Sequence, residues 1–186
     1  MAKSKAVRIE YKPLAEVLRW PANPKLHDLD GLETAFRRFG FVTPPIVNEA
    51  TGELVTGHGR VEALERRRSA GMSPPERIKL DADGGWLVPL VYGIAFDDPD
   101  EAARYAIGDN RLVELGGWDQ SLLQELVVEL VESMGDRALD GLGMLPGEVG
   151  VFLDAADLPD VVPIGPDIAN DVEFVRCPKC KSWFPK

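Results

Sequence analysis

Two glycines that separate a predicted strand from a predicted helix constrain the fold of this 186-residue chain more than any other feature. The letters Thr-Gly-His-Gly-Arg occupy positions 56–60, at the junction of a strand expected over 53–56 and a helix expected over 60–70. Glycine permits a tight turn with positive φ and lets a ligand come close to the backbone. The first N–H groups of the following helix point outward and favour an anion. The sequence therefore predicts a strand-to-helix turn that can hold phosphate.

Strands and amphipathic helices alternate along most of the chain, which predicts a mixed α/β (α+β) fold. Asp28 or Asp30 is expected to cap the first helix, and Gly40 is expected to end it. The apolar stripe of the last helix predicts either a core contact or a dimer face. Predicted strands cover 7–11, 45–48, 53–56 and 87–96, and predicted helices cover 29–39, 60–70, 99–112 and about 119–134, with a loop over 72–86.

The charge of the chain is unevenly distributed. The whole chain has 21 Lys/Arg and 31 Asp/Glu, but residues 81–175 alone hold 3 basic and 21 acidic residues. Because phosphate neutralisation dominates non-specific DNA affinity, this acidic region would repel DNA. DNA is therefore expected to be a partner only through the N-terminal half or through another protein. The alternative interpretation of the acidic region is a solvated surface.

Neither a membrane segment nor a disulfide framework is expected. The longest apolar stretch, 87–96, is shorter than the roughly 20 residues that span a bilayer, and the first residues lack the apolar region of a signal peptide. The two cysteines are too close together to staple a fold. We therefore expect a protein of the reducing cytoplasm, or of the host cytoplasm if a phage encodes it, with no membrane partner.

The turn at 57–59 is followed by residues suited to binding an anion. Arg60 supplies a fork of donors for phosphate oxygens, and His58 can donate a hydrogen bond or transfer a proton near neutral pH. Arg67 and Arg68 follow nearest the same helix face, and one of them could reach the same anion. The segment is not a Walker A loop, because the Gly-Lys-Ser/Thr ending is missing. A glycine turn with solvated arginines remains the alternative.

Two further polar clusters could contribute to such a site. In the first, Lys25 could bind phosphate and His27 could act as an acid or a ligand, while Pro24 fixes the loop backbone. In the second, positions 109–111 read Asp-Asn-Arg, so that an acid and an amide could hold Mg²⁺ while the arginine pairs with phosphate. The alternatives are a surface turn for the first cluster and a helix end with a surface ion pair for the second.

The C-terminal tail has the spacing of a zinc knuckle. Cys177 and Cys180 offer two thiolates, whereas a closed tetrahedral zinc site needs four ligands. The other two could come from a second chain, which would make zinc the clamp of a homodimer, or from His27 or His58. The alternative is a frayed tail with two free thiols.

Taken in order, the clusters resemble the ParB/sulfiredoxin-like superfamily over about residues 7–118. The segments 40–49 and 52–63 are similar to the family's helix–strand–hairpin and its phosphate-binding box, in which Gly57, Arg60 and Ala63 match. The His-Gly at 58–59 departs from the Glu-Arg pair of chromosomal ParB and resembles a variant of phage and plasmid proteins. The Asn-Pro-Lys at 23–25 matches the first family box with Lys in place of Arg, and Asp-Asn at 109–110 resembles the Glu-Asn pair that holds Mg²⁺ on a triphosphate.

The resemblance implies a small mixed sheet flanked by helices. We expect a nucleotide-binding domain over 1–118, a helical extension over 119–153, an acidic Pro-rich linker over 154–171 and a Cys-containing tail over 172–186. Together the residues and the resemblance predict catalytic roles for His58 and Asp109. They also predict Mg²⁺ on Asp109 and Asn110, and Zn²⁺ on Cys177 and Cys180. The residues predicted to contact the nucleotide are Asn23, Lys25, Thr43, Gly57, His58, Gly59, Arg60, Arg67, Asn110 and Arg111.

The implied function is binding of CTP or ATP with Mg²⁺ by a protein of phage or plasmid origin that acts in DNA metabolism, with slow NTP hydrolysis. One alternative is a metal-dependent nuclease or DNA-modification accessory. Another is a non-enzymatic adaptor dimerised through a zinc-binding tail. A sulfiredoxin is disfavoured because its box carries a cysteine that is absent here. A full partition ParB is disfavoured because only one convincing helix follows residue 118.

Overall fold

The computed structural model describes residues 6–144, 147, 148, 150, 174–176, 179 and 183–185. Its centre is a mixed sheet, as predicted, but with five strands where the sequence predicted four. The strands are β1 (Arg8–Pro13), β2 (Ile46–Asn48), β3 (Leu54–Thr56), β4 (Lys79–Leu80) and β5 (Trp86–Ile94). β5 pairs with three of the other four strands: β1 runs antiparallel to it on one side, β2 runs parallel to it on the other, and the short β4 pairs with its beginning. β3 forms a hairpin with β2.

Among the described residues, four α-helices whose bounds are fully described surround or follow the sheet. They are α1 (Leu29–Phe39), α2 (His58–Ser69), α3 (Pro99–Gly116) and α4 (Gln120–Met134), with 3₁₀ turns at Leu14–Glu16 and Gly135–Leu139. Asp28 caps α1 and Gly40, with φ 73°, follows its last residue, so both predicted boundaries of this helix are confirmed. No helix among the described residues has the length and apolar character needed to cross a membrane.

The core lies between the sheet and the helix pair α1–α2. Val61 and Leu64 of α2 and Val88 of β5 are completely buried, and the rings of Phe36 and Phe41 lie 5.5 Å apart. Complete burial of each such side chain stabilises the fold by about 1.5–3 kcal/mol. This core fixes the buried face of α2, and therefore holds the first turn of α2 next to the end of β3.

Several predicted boundaries need correction. The predicted loop over 72–86 contains β4, and α3 extends to Gly116, beyond the predicted end at 112. α2 begins at His58 rather than at Arg60. The predicted apolar stripe of α4 contains both buried and exposed residues, because Val127 is buried whereas more than half of the surface of Leu126 is exposed.

The tail contains two paired strands that were not predicted, β6 (Phe174–Arg176) and β7 (Trp183–Pro185). The predicted zinc ligands Cys177 and Cys180, which come between these strands in the sequence, lie outside the described residues. The same is true of the predicted linker over 154–171.

Candidate functional site

The N-terminus of α2 differs from that of the other helices. α1, α3 and α4 each begin at an aspartate whose carboxylate accepts hydrogen bonds from backbone N–H groups of the first turn. α2 begins after Gly57, which adopts a left-handed conformation with φ 86° and provides no capping side chain. A Cβ at this position would lie 2.7 Å from Cβ of Pro45, so the close approach also requires glycine. The first N–H groups of α2 are therefore left for another acceptor.

A cavity of about 170 Å³ lies at this helix start. Its lining draws on all three polar clusters predicted from the sequence, because the loop 23–27, the turn 57–60 and α3 meet there. Two further cavities of about 180 and 550 Å³ share Asn23 and Lys25 with it, and the larger also shares His27 and His58. The polar residues around the first cavity are Asn23, Lys25, His27, Thr56, His58, Arg60 and Asn110.

Arg60 is a half-buried cation in this cavity. One of its terminal nitrogens donates a hydrogen bond to the backbone carbonyl of Thr43 at 2.9 Å. Burial lowers the pKa of Arg60 below its usual range, and the more distant carboxylate of Asp109 partly opposes this effect. Among the described residues no carboxylate forms an ion pair with Arg60. Because a partly desolvated charge without a counter-ion is unfavourable, this guanidinium would gain from a bound anion.

Lys25 and Arg111 meet at a shared carboxylate. The Lys25 ammonium lies 2.7 Å from one oxygen of Glu114, and the Arg111 guanidinium lies 3.0 Å from the other. The hydrogen bond from Lys25 is the main cause that lowers the pKa of Glu114, and Arg111 adds to it. The pair links the loop 23–27 to α3 and places two cations beside the cavities. Asn110 lies at the same boundary, where its amide group donates to the carbonyl of Ala106 at 2.9 Å.

The surroundings of His58 suit a structural role for its side chain. It is buried, and its Nε2 accepts a hydrogen bond from the backbone N–H of Trp20 at 3.3 Å. Burial is the main cause that lowers the pKa of His58 to about 4, and electrostatic interaction with His27 and Arg19 adds to it. The ring is therefore neutral at pH 7, and the nitrogen that could take up a proton is occupied. This geometry does not suit the catalytic role predicted for His58.

His27 lies at the first turn of α2 and borders the same cavity as His58. Its ring lies against Gly59, where a Cβ would come within 2.5 Å of Cδ2 of the imidazole. Its Nδ1 lies 3.5 Å from a carboxylate oxygen of Glu62, one turn further along α2. Gly59 therefore makes room for a histidine ring, whereas the sequence predicted that it contacts phosphate. Glu62 was not predicted, although its i+4 spacing from His58 is a signal that it belongs to the first turns of α2.

Arg67 does not face the cavity, contrary to the prediction. It is buried and forms an ion pair with Glu33 of α1, and its Nε donates to the carbonyl of Ser73 at 2.6 Å. Thr43 is exposed, and its contribution to the surroundings of Arg60 is its backbone carbonyl. Asp109 is also exposed, and the described residues contain no group of three or more His, Cys, Asp or Glu side chains that could hold a metal ion.

Comparison with known proteins places the chain in a family. No family model matches it. Over 65 residues it is 34% identical to the ParB-like nuclease domain-containing protein YnaK of Escherichia coli K12, a match that spans 33% of this chain and 74% of YnaK. The chain belongs to the ParB-like family. The predicted resemblance is thereby confirmed.

A solved ParB structure shares the fold. The crystal structure of the C-terminally truncated chromosome-partitioning protein ParB from Caulobacter crescentus, complexed with CTP-γ-S, superposes with a TM-score of 0.52. The alignment covers 82% of this ParB-like chain and 81% of the ParB chain, at 19% sequence identity. The shared fold extends well beyond the segment that resembles YnaK.

Proposed function

We propose that this ParB-like protein binds a nucleoside triphosphate, CTP or ATP, with its phosphates at the N-terminus of α2. The supporting observation is the combination of an uncapped helix start with a half-buried Arg60 that forms no carboxylate ion pair among the described residues. Both features are unfavourable without a ligand and both favour an anion. The ParB structure with the same fold contains a bound CTP analogue, which makes a nucleotide the natural choice of anion.

Lys25 and Arg111 are proposed as the next phosphate ligands. In the structure both cations are engaged by Glu114 at exposed positions, where an ion pair contributes little, typically below about 1 kcal/mol. A triphosphate carries more charge than one carboxylate and would compete for them. Mg²⁺ binds in proteins through one or two oxygen ligands together with substrate phosphates. Asp109 and Asn110 fit that partial set of ligands, and the metal would supply charge neutralisation on the phosphates.

Titration calorimetry with CTP, ATP and GTP in the presence of Mg²⁺ tests the proposal. We expect CTP or ATP to bind the wild-type protein, and Arg60→Gln to weaken that binding about 10- to 100-fold, because a charge-assisted hydrogen bond contributes about 1.5–3 kcal/mol. Arg104→Gln is the matched control, since its side chain is 81% exposed on α3 and should leave affinity unchanged. Absence of binding by all three nucleotides would overturn the proposal.

Nucleic-acid cleavage is the second candidate, favoured by the ParB-like nuclease domain for which YnaK is named. It would use the same cations on a phosphodiester, with Asp109, whose carboxylate acts electrostatically on Arg60, as the acidic group. Incubation with supercoiled plasmid and Mg²⁺ separates the candidates. Nicking that is lost in Asp109→Asn supports cleavage, whereas intact plasmid under conditions where a nucleotide binds supports nucleotide binding alone.

A further inference from the structure

We propose that His27, positioned by Glu62, is the general base of a hydrolytic reaction on the terminal phosphate of the nucleotide. The inference rests on the nucleotide binding proposed above and adds a chemical step to it. The geometry that points to this role is the place of the His27 imidazole, which lies against the first turn of α2 and borders both the 170 Å³ cavity and the 550 Å³ cavity.

The position of the imidazole is set by a missing side chain. Gly59 is the second residue of α2, and a Cβ there would lie between 2.5 and 2.9 Å from three atoms of His27. Only glycine therefore allows the ring to lie directly on the helix turn whose N–H groups are proposed to hold phosphate. The His27 side chain keeps 19% of its surface exposed, so a ligand in the cavity can reach it.

A carboxylate lies beside the ring. Nδ1 of His27 lies 3.5 Å from Oε2 of Glu62. A carboxylate beside one ring nitrogen favours a proton on that nitrogen and leaves the other free to accept one, which is the arrangement of a base held by a third group. Arg19 lies 3.7 Å from the same Glu62 oxygen and, with its other terminal nitrogen, 3.4 Å from a carboxylate oxygen of Glu65.

The other groups around the cavity are less suited to this role. The chain has two histidines, and the second, His58, is buried with its Nε2 occupied by the Trp20 N–H. Lys25 is engaged by Glu114, and Arg60 is a cation bound to a backbone carbonyl. His27 is thus the imidazole that combines exposure to the cavity, a carboxylate partner and a place beside the uncapped helix start.

The proposed step is balanced without a further reactant. Nε2 of His27 takes one proton from a water molecule as the water oxygen forms a bond to the terminal phosphorus. The bond from that phosphorus to the bridging oxygen breaks, and the bridging oxygen leaves with its electron pair on the nucleoside diphosphate. The imidazolium then returns its proton to solvent. General base catalysis of this kind contributes typically about 10²- to 10⁴-fold in rate.

Two separate measurements test the step. Calorimetry gives the affinity for the nucleotide, and single-turnover release of inorganic phosphate at saturating nucleotide and Mg²⁺ gives the chemical rate. For His27→Gln we expect affinity within about threefold of wild type and a rate reduced about 10²- to 10⁴-fold. Added imidazole should restore part of the rate of His27→Ala, because it can occupy the space left above Gly59.

Glu62 is tested as a positioning residue. We expect Glu62→Gln to lower kcat about tenfold with little change in KM, and Glu62→Asp to recover part of the loss. Glu65→Gln is the matched control, because Glu65 pairs with the same Arg19 and makes no ion pair with a histidine among the described residues.

The outcomes separate the two proposals. If no nucleotide binds the wild-type protein, nucleotide binding and the proposed step both fail. If a nucleotide binds but wild-type protein releases no phosphate, or if His27→Gln releases it at the wild-type rate, nucleotide binding stands and the role of His27 is overturned.

Discussion

The two ends of α2 carry the same residue type in two different settings. At the first turn, Arg60 donates to the carbonyl of Thr43 and lies in a polar cavity without a carboxylate ion pair in the described part of the chain. At the last turns, Arg67 donates to the carbonyl of Ser73 and also pairs with Glu33. The comparison indicates that a carboxylate partner from a distant segment decides whether an arginine removed from water stabilises the fold or remains available for a ligand.

The energetic consequences of the two settings are opposite. The side chains of Arg67 and Glu33 are only 10% and 13% exposed. Removing one of them would therefore leave the other as a buried, uncompensated charge. Removing Arg60 eliminates an unfavourable desolvated charge at the same time as it eliminates a hydrogen bond. Of these two arginines, Arg67 should therefore matter mainly for stability and Arg60 mainly for ligand affinity.

The largest expected effect is that of Arg67→Met, which tests the structural end of the helix. We expect the free energy of unfolding to fall by about 3–5 kcal/mol, the cost of breaking a buried ion pair by removing one partner. Urea denaturation measures it. The control is Arg68→Met, at the neighbouring exposed position, which should change stability by at most about 0.5 kcal/mol. Equal effects of the two substitutions would contradict the distinction between the ends.

The next effect concerns the backbone at the ligand end. Gly57→Ala should lower the free energy of unfolding by about 2–4 kcal/mol, because alanine must adopt φ 86° and its Cβ must approach Pro45 to 2.7 Å. Gly52→Ala is the matched control, because its φ is 77° and no atom lies within 4 Å of the added Cβ. This control should cost only about 1 kcal/mol. Thermal or urea unfolding of both variants measures the difference, and a cost of Gly57→Ala no larger than that of Gly52→Ala would refute the contact with Pro45.

Local signals in the sequence were sufficient for part of this picture. Asp28 and Gly40 marked the limits of α1, because helix caps act within one turn of the chain. The glycine at 57 marked the turn into α2 for the same reason. The meeting of the three polar clusters was anticipated only through the family resemblance, since periodicity does not say which loops come together.

Partners that come from distant segments could not be predicted. Nothing in the spacing of the arginine run indicates that Arg67, rather than its neighbours, meets Glu33 of α1. The contact of His27 with Gly59 joins two segments that are separated by the whole of α1 and the β2–β3 hairpin, and only packing of the loop on α2 produces it. The exposed apolar residues of α3 and α4, such as Leu112 and Leu126, show that an apolar stripe identifies a helix without identifying what covers it.

A third prediction uses pH to examine the histidine at the ligand end. The pKa of His58 is about 4 in the folded protein, compared with 6.5 for an unperturbed side chain. As pH falls below 6.5 the unfolded state takes up a proton that the folded state does not, so stability declines between pH 6.5 and 4 and stays lower below that range. We expect a loss of about 2 kcal/mol, after allowance for hydration from the adjoining cavity.

Urea denaturation at a series of pH values from 4 to 7 measures this decline. His58→Gln should remove that component while other titrating groups keep theirs, so the difference between the two profiles isolates the histidine. An unchanged profile in His58→Gln would show that the buried imidazole does not set the pH dependence.

The smallest effect is expected for the ion pair between Arg66, in the last turn of α2, and Asp30 of α1. Their charged atoms lie 2.6 Å apart, but the side chains are 44% and 90% exposed. A double-mutant cycle with Arg66→Ala and Asp30→Ala removes the separate contributions, including that of Asp30 near the N-terminus of α1, and leaves the coupling energy of the pair. We expect about 0.2–1 kcal/mol in low salt and less in high salt, because exposed ion pairs are screened. A coupling energy above about 2 kcal/mol would show that a short distance, rather than burial, sets the strength of the ion pairs on α2. The difference expected between Arg60 and Arg67 would then lose its physical basis, because it depends on the burial of the pair between Arg67 and Glu33.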